Sequence, residues 1–250
     1  MVKLYRSIVA VFRSFSAYLS VTLWVLILGP LGMVVAIIFR RPNVLYTLGR
    51  GGVRLGLSTA GIRYRVTGTE HIQKNQGAMY MVNHASNLEP PIIYMVLKSI
   101  HPMLKILYKA ELRRVFPVLK NAFDLAGFVP IQRNNREQSS AAIDRVSLSL
   151  IEGASFMVFP EGTRSRSGKL LPFKKGGFLM AIKGQARIVP VAIQGASAAM
   201  RKGSPVIWPV TVSVRIGAPI DTTGLTMGDR NHLSVRARES MEELLAMGPL

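Results

Sequence analysis

Three short polar segments contain the residue types needed for acid–base chemistry on an anionic substrate, and each directly follows an apolar run. They are residues 83–89, 132–133 and 160–164, which follow the runs 78–82, 127–131 and 155–159. Together they supply a histidine, two carboxylates and two arginines. These are the groups that could deprotonate a hydroxyl while holding a phosphate.

His84 is followed five residues later by a carboxylate, Glu89. On a regular helix these two side chains would point in well-separated directions, so they can meet only where a turn leads into a helix. The next two residues, Pro90 and Pro91, suit the first turn of a helix and place Glu89 at its positive end. A carboxylate there can orient the imidazole and stabilise the imidazolium that forms on proton uptake. The pattern predicts that His84 is a general base.

Arg133 and Arg164 are candidate phosphate ligands, because a guanidinium group can bind two phosphate oxygens at once. Arg164 follows Gly162 and Thr163 in a turn after an apolar run, whereas Arg133 could equally be an ordinary surface arginine. Glu161 would repel a neighbouring phosphate, which favours a contact with a hydroxyl or a cation. The alternative for Glu161 is a solvated turn residue.

The elements that must position these residues alternate between strands and helices. The predicted strands are 62–66, 78–82, 103–107, 127–131, 155–159, 188–193 and 210–216, and the predicted helices are 91–99, 109–123, 136–151, 176–183 and 232–247. This alternation predicts an α/β domain with a largely parallel sheet flanked by helices. Ligands bind beyond the carboxyl ends of such strands, so we expect the three polar segments to meet in one crevice.

A long apolar stretch lies near the N-terminus. Residues 17–39 contain no charge and would extend about 35 Å as one helix, which is enough to cross a bilayer. Gly29 and Pro30 interrupt the stretch, so a kinked transmembrane helix and a re-entrant hairpin both remain open. Arginines on its C-terminal side favour a cytoplasmic catalytic domain. We predict a basic amphipathic and hydrophobic membrane segment over residues 1–42 and a catalytic domain over residues 43–250.

The composition narrows the class of partner. The chain has 250 residues with 32 Lys and Arg against 13 Asp and Glu, a formal net charge of +19. Such a charge implies a nucleic acid, an acidic membrane surface or a phosphorylated substrate. The mean hydropathy of +0.27 and the lack of aromatic residues among the basic ones argue against a nucleic acid.

Several catalytic machineries are excluded. The chain has no cysteine, which removes disulfides, thiolate nucleophiles and cysteine-ligated zinc. It also has no G-x-S-x-G, Walker A, H-E-x-x-H or G-x-G-x-x-G motif. Direct transfer through a general base is therefore the economical mechanism.

Four segments resemble, in order, the sequence blocks of the glycerolipid acyltransferase family, of which lysophosphatidic acid acyltransferase is typical. They are Asn-His-x-Ser-x-x-acid at 83–89, Gly-Phe-Val-Pro-Ile-Gln-Arg at 127–133, Phe-Pro-Glu-Gly-Thr-Arg-Ser at 159–165 and Val-Pro-Val-Ala-Ile at 189–193. The resemblance runs from about residue 61 to 217, and its first and third blocks are the most specific. It departs from the family at Glu89, where aspartate is usual.

The resemblance implies the α/β fold of this family and a role for each matched residue. His84 would deprotonate the acceptor hydroxyl, which then attacks the thioester of acyl-CoA or acyl carrier protein, and Glu89 would support the histidine. The residues implied to bind the glycerol phosphate are Arg133, Glu161, Gly162, Thr163 and Arg164. No metal or redox cofactor is implied.

We therefore expect acyl transfer to the sn-2 hydroxyl of lysophosphatidic acid, giving phosphatidic acid at the cytoplasmic face of a membrane, the inner one in a bacterium. Glycerol-3-phosphate or another lysolipid is the alternative acceptor. A non-catalytic, basic membrane-binding protein on the same scaffold is the alternative class. The expected partners are membrane lipids, the acceptor and the acyl donor, and no nucleic acid.

Overall fold

A seven-stranded sheet forms the centre of the computed structural model, which describes residues 2–115, 117–132 and 136–250. The strands are β1 (Arg63–Thr67), β2 (Ala78–Val82), β3 (Leu104–Lys109), β4 (Val129–Ile131), β5 (Ser155–Val158), β6 (Arg187–Gln194) and β7 (Thr211–Ile216). Their order is β1-β7-β6-β2-β5-β3-β4, and every described pair is parallel except β6 with β7. The predicted α/β fold with a largely parallel sheet is confirmed.

Helices precede the sheet and cover both of its faces. They are α1 (Val2–Ile38), α2 (Asn43–Ala60), α3 (Glu89–Val96), α4 (Leu112–Val115), α5 (Pro117–Leu125), α6 (Arg136–Ile151), α7 (Gly176–Lys183), α8 (Ala196–Ala199) and α9 (Arg230–Ala246). The helix predicted over 109–123 begins too early, because β3 extends to Lys109; the described helical residues are Leu112–Val115 and Pro117–Leu125, on either side of residue 116, which lies outside the described residues.

The central strand β2, which leads into the site, is buried on both faces of the sheet. All five of its residues are buried, as expected of a parallel strand covered on both faces. Tyr80 and Val82 join a core with α2 and α3, whereas Met79 and Met81 join a second core with α6, α7 and α9. The segment that contains His84 therefore begins at the end of a strand that is packed between two cores.

The N-terminal helices pack closely against each other. A Cβ atom added at Gly51 would lie 2.5 Å from Cζ2 of Trp24, and one at Gly52 would lie 2.9 Å from Cδ1 of the same ring. The indole Nε1–H also donates to the carbonyl oxygen of Leu48 at 3.0 Å. The glycines of α2 thus allow the Trp24 ring of α1 to lie against the backbone of α2.

Helix α1 continues through Pro30 to Ile38, so the re-entrant hairpin at Gly29 and Pro30 that the sequence allowed is wrong. The chain instead reverses between α1 and α2. Residues Leu4–Ile38 are long and apolar enough to cross a membrane, alone among the described helices, and an 18-residue window within them has a mean hydropathy of 2.5. Large apolar side chains are exposed along α1, among them Leu4, Ile8, Phe12, Phe15, Leu19, Leu23, Ile27, Leu31, Val34 and Ile38.

Candidate active site

The predicted contact between His84 and Glu89 is present. Strand β2 ends at Val82 and α3 begins at Glu89, so the two side chains are joined by a turn that leads into a helix. Nδ1 of His84 lies 2.7 Å from Oε2 of Glu89. The backbone N–H of Ala85 donates to both carboxylate oxygens, each at 2.9 Å. The carboxylate therefore fixes the turn and the imidazole together.

The surroundings of Glu89 determine the state of the imidazole. The pKa of Glu89, which is 1% exposed, is raised, because burial outweighs the lowering by the hydrogen bond and charge of His84 and by the amides of Ala85 and Ser86. An ionised carboxylate can only accept, so the hydrogen atom between the two groups belongs to Nδ1. The Nε2 lone pair of His84 is then left to accept a proton, as a general base must.

Two further contacts hold the turn to neighbouring segments. The Asn83 amide pairs with the backbone of Ile193 on β6, accepting from its N–H at 2.7 Å and donating to its carbonyl at 3.0 Å. The Ser86 hydroxyl donates to the carbonyl of Met200 at 2.9 Å and accepts from the N–H of Leu88 at 3.2 Å. The polar residues that flank His84 thus satisfy buried backbone groups.

The segment after β5 approaches His84 from the other side. The Phe159 ring stacks on the imidazole, with ring centroids 4.1 Å apart. The N–H of Ser165 donates to the carbonyl of His84 at 2.7 Å. Because β2 and β5 are parallel neighbours, the segments that follow them meet at one edge of the sheet, as predicted.

Glu161 is buried, with an exposure of 2%. Its Oε1 accepts from the N–H of His84 at 2.6 Å, and its Oε2 accepts from the N–H of Leu171 at 2.8 Å. Burial raises the pKa of Glu161, while the amides of Leu171 and His84 lower it. A solvated turn residue is therefore the wrong description. Direct contact with substrate, expected from the sequence, stays a prediction.

A cavity of about 920 Å³ opens at His84. Gly162, Thr163 and Arg164 line its polar end together with His84, so these four predicted residues share one space. Gly162 has a φ of +70°, which suits glycine at the turn before Thr163. Arg133 lies outside the described residues, and its predicted role stays a prediction.

The rest of the cavity is apolar, and its walls come largely from elements that the sequence did not connect with the site. They include Val21, Trp24, Val25 and Gly29 of α1, Tyr46, Gly49 and Val53 of α2, Tyr94 of α3, and Phe123 of α5. An apolar cavity that begins at a polar, basic end fits an amphipathic ligand with a charged head and a long tail.

Two further cations, Lys109 and Lys174, line the cavity, and the sequence analysis assigned neither of them to the site. Lys109 ends β3, the strand beside β5, and the backbone N–H of Lys174 donates to the carbonyl of Pro160 at 2.8 Å. The positions of Lys109 and Lys174 in the sequence could have indicated both, because each lysine follows or adjoins a segment already assigned to the site.

The fold and this site define an acyltransferase, and comparison with known proteins places the chain in that family. The sequence model of the family described as Acyltransferase matches residues 63–194, so the chain belongs to it. The crystal structure of the 1-acyl-sn-glycerophosphate (LPA) acyltransferase PlsC from Thermotoga maritima has the same fold. It superposes with a TM-score of 0.77 at 24% identity, covering 96% of this chain and 98% of that one.

Among named relatives, the 1-acyl-sn-glycerol-3-phosphate acyltransferase of Limnanthes douglasii is 33% identical over 168 residues, which are 67% of this chain and 58% of that protein. The protein of the same name from Borreliella burgdorferi is 29% identical over 78% of this chain and 77% of its own length. The human alpha form is 30% identical over 72% of this chain and 63% of its own length. The matched segment thus spans little more than half of the plant relative.

Proposed function

We propose that this protein transfers a fatty acyl group from a thioester donor to the sn-2 hydroxyl of lysophosphatidic acid, giving phosphatidic acid. The observation that carries the proposal is the 2.7 Å contact between Nδ1 of His84 and Glu89 at the polar end of an otherwise apolar cavity. The names of the relatives from plant, bacterium and human support the same reaction.

The chemistry follows from the tautomer that Glu89 sets. Nε2 of His84 takes the proton of the acceptor hydroxyl as its oxygen attacks the thioester carbonyl carbon. The carbon–sulfur bond then breaks, and the departing thiolate takes this proton from the imidazolium. Glu89 stabilises the imidazolium in between and remains ionised. The proton returns to the leaving group, so each turnover leaves His84 neutral.

In this proposal, the polar end of the cavity binds the phosphate and glycerol groups of the acceptor. Arg164 offers a planar pair of donors for the phosphate, and Lys174 and Lys109 add positive charge to the same cavity. The Thr163 hydroxyl can donate to or accept from the glycerol backbone. The apolar walls from α1, α2, α3 and α5 would surround an acyl chain. The donor is acyl-CoA or acyl carrier protein, and no metal or redox cofactor is expected.

We propose in addition that α1 anchors the protein in a membrane with the catalytic domain on the cytoplasmic face. The length and apolar surface of α1 support the anchor. The arginines that follow α1, Arg40 and Arg41, support the cytoplasmic placement because such residues remain on that side. In a bacterium this would be the inner membrane.

An acceptor panel with labelled acyl donor tests the reaction. The full chain in detergent would receive labelled palmitoyl-CoA or palmitoyl carrier protein with lysophosphatidic acid, glycerol-3-phosphate or an uncharged lysolipid. We expect turnover of lysophosphatidic acid, and a loss of at least about 10²-fold in His84→Ala. His232→Ala, a change at an exposed histidine on α9, serves as the matched control and should retain activity.

Other results of the panel would identify the alternatives. Preference for glycerol-3-phosphate or the uncharged lysolipid would show that the proposed acceptor is wrong but would leave the proposed mechanism unchanged. Equal turnover by wild type and His84→Ala would reject the mechanism. Binding to anionic vesicles without turnover of any acceptor would indicate a non-catalytic membrane-binding protein.

A further inference from the structure

Glu161 joins two backbone segments, and one of them contains His84. Both of its carboxylate oxygens are occupied by backbone N–H groups, those of His84 and Leu171. The lining of the cavity passes from Phe159 to Gly162, and Glu161 lies behind it. A buried carboxylate with this geometry can act on the reaction through the backbone that it holds.

Arg238 of α9 holds the other end of this connection. Its Nη1 donates to the carbonyl of Leu171 at 2.9 Å, and its Nη2 donates to the carbonyl of Leu170 at 3.3 Å. Its guanidinium carbon lies 5.5 Å from the centroid of the Phe173 ring, within range of a cation–π contact. The segment that presents the Leu171 amide to Glu161 is therefore fixed on α9 by two hydrogen bonds and a ring contact.

Charge works in the same direction as these hydrogen bonds. Burial raises the pKa of Glu161, and the amides of Leu171 and His84 together with the charge of Arg238 lower it. An ionised carboxylate accepts two N–H bonds more strongly than a carboxylic acid, which has a hydrogen atom of its own. The guanidinium thus helps to keep Glu161 in the state that can hold both amides.

The backbone of His84 is held at both of its polar atoms. Glu161 takes the N–H, and the Ser165 N–H takes the carbonyl oxygen at 2.7 Å. The ring, in turn, is set by Glu89 and Phe159. Movement of the His84 backbone would carry the imidazole away from the hydroxyl that it must deprotonate, and a displacement of about 1 Å can cost roughly 10²-fold in rate.

We infer that Arg238 and Glu161 are positioning residues for His84. Arg238 fixes residues 170–171, the Leu171 amide orients the Glu161 carboxylate, and the carboxylate fixes the N–H of His84. Arg238 lies outside residues 63–194, the part of the chain that the acyltransferase family matches. The inference rests on the proposed catalytic role of His84, and it replaces direct substrate contact by Glu161 with a role through the backbone.

Steady-state kinetics of the full chain in detergent test this inference, with palmitoyl-CoA and the acceptor that the panel selects. Arg238→Met retains an apolar stem against Phe173 and removes every donor, and we expect its kcat to fall about 10-fold with KM within about 2-fold of wild type. Arg238→Lys, which keeps the charge and one donor direction, should recover part of the loss. Glu161→Gln should lower kcat more, again at unchanged acceptor KM.

The matched control is Glu242→Gln, which removes the exposed ion pair to Nε of Arg238 (2.9 Å) but leaves the two carbonyl bonds. It should behave as wild type. The double variant Arg238→Met with Glu161→Gln should lose no more kcat than Glu161→Gln alone, because the arginine acts through the carboxylate.

Each contrary result has a distinct meaning. A raised acceptor KM with normal kcat in Glu161→Gln would show direct substrate contact and overturn the inference. Additive losses in the double variant, or wild-type kcat in Arg238→Met, would also overturn it, and Arg238→Met decides the matter even if Glu161→Gln does not fold. An active His84→Ala variant would instead defeat the proposed function, on which the inference depends.

Discussion

Glu89 reaches back across the turn after β2 and places Oε2 2.7 Å from Nδ1 of His84, while the same carboxylate accepts the N–H of Ala85 at 2.9 Å. The resemblance to glycerolipid acyltransferases leads one to expect aspartate at this position. The additional methylene of glutamate is accommodated because Glu89 begins α3, beside Pro90 and Pro91, rather than lying within a regular helix. His84 and Glu89 therefore make their contact at the spacing usual in the family, although glutamate stands in place of the shorter aspartate.

The charge of Glu89, and not only its hydrogen bond, should matter for activity. We expect Glu89→Gln to lose roughly 10²-fold to 10⁴-fold in kcat, because a neutral amide stabilises the imidazolium poorly and does not enforce the tautomer. Glu89→Asp should retain most activity, since aspartate keeps the charge and is the usual family residue. Initial rates with each purified variant decide the matter. Full activity in Glu89→Gln would show that the carboxylate is not the functional partner of His84.

Arg164 should contribute to acceptor affinity more than to the chemical step. Loss of a charge-assisted hydrogen bond costs about 1.5–3 kcal/mol, so Arg164→Ala should raise the acceptor KM about 10-fold to 100-fold. The donor KM should stay near that of wild type. Arg166→Ala, at an exposed arginine two residues on, is the control and should leave both constants unchanged. An unchanged acceptor KM in Arg164→Ala would rule out phosphate binding by this side chain.

The close packing of α1 and α2 should make Gly51 intolerant of a larger residue. A Cβ atom there would lie 2.5 Å from Cζ2 of Trp24, and relief of such overpacking typically costs about 1–3 kcal/mol. We expect Gly51→Ala to lower the thermal unfolding midpoint in detergent. Gly176→Ala on α7 is the control, since a Cβ atom there would meet no atom within 4 Å. Equal midpoints for the two variants would contradict the packing described for Trp24.

His101 should make stability fall on the acid side of neutrality. Its ring lies 4.2 Å from that of Tyr94, and burial together with the charge of Arg50 lowers its pKa from 6.5 to about 4. Below about pH 6.5 the unfolded chain takes up a proton that the folded chain refuses until about pH 4. Stability that this group contributes at neutral pH is thus lost as the pH falls through that range.

The variant His101→Phe, which retains an aromatic ring beside Tyr94, should therefore show a smaller drop in unfolding midpoint between pH 6.5 and pH 4 than wild type does. His232→Gln, which changes an exposed histidine, should show the wild-type drop. Parallel pH curves for wild type and His101→Phe would show that His101 does not carry the effect.

The sheet and the turn around His84 could be predicted because their signals are local. Buried parallel strands such as β2 and β5 are continuous apolar runs, and each of the seven predicted strands overlaps an observed one. The turn could be inferred from the spacing of His84 and Glu89 and from the two prolines after it. The presence of Arg164 and His84 in one cavity followed from the expectation that the strands before them are parallel.

The remainder depends on contacts that sequence patterns do not specify. Helix α2 was not among the predicted helices because Gly49, Gly51 and Gly52 weaken its helical pattern, although Gly51 and Gly52 are what admit the Trp24 ring. The reversed direction of β7 was also hidden, since an apolar strand reads alike in either direction. The hydrogen bond between Glu161 and the amide of Leu171 could not be predicted, because no spacing rule connects the two residues.

Trp24, Val25 and Gly29 face the cavity from α1, the same helix whose outer side is apolar and exposed. A shortened chain made easier to purify by deleting residues 1–42 would therefore keep His84 and Glu89 yet lose one wall of the space in front of them. The deletion would remove the exposed apolar surface of α1 but would also open the cavity on the side that α1 lines. If α1 anchors the protein in a membrane as proposed, detergent or lipid belongs in every assay, because the same helix is also part of the chamber.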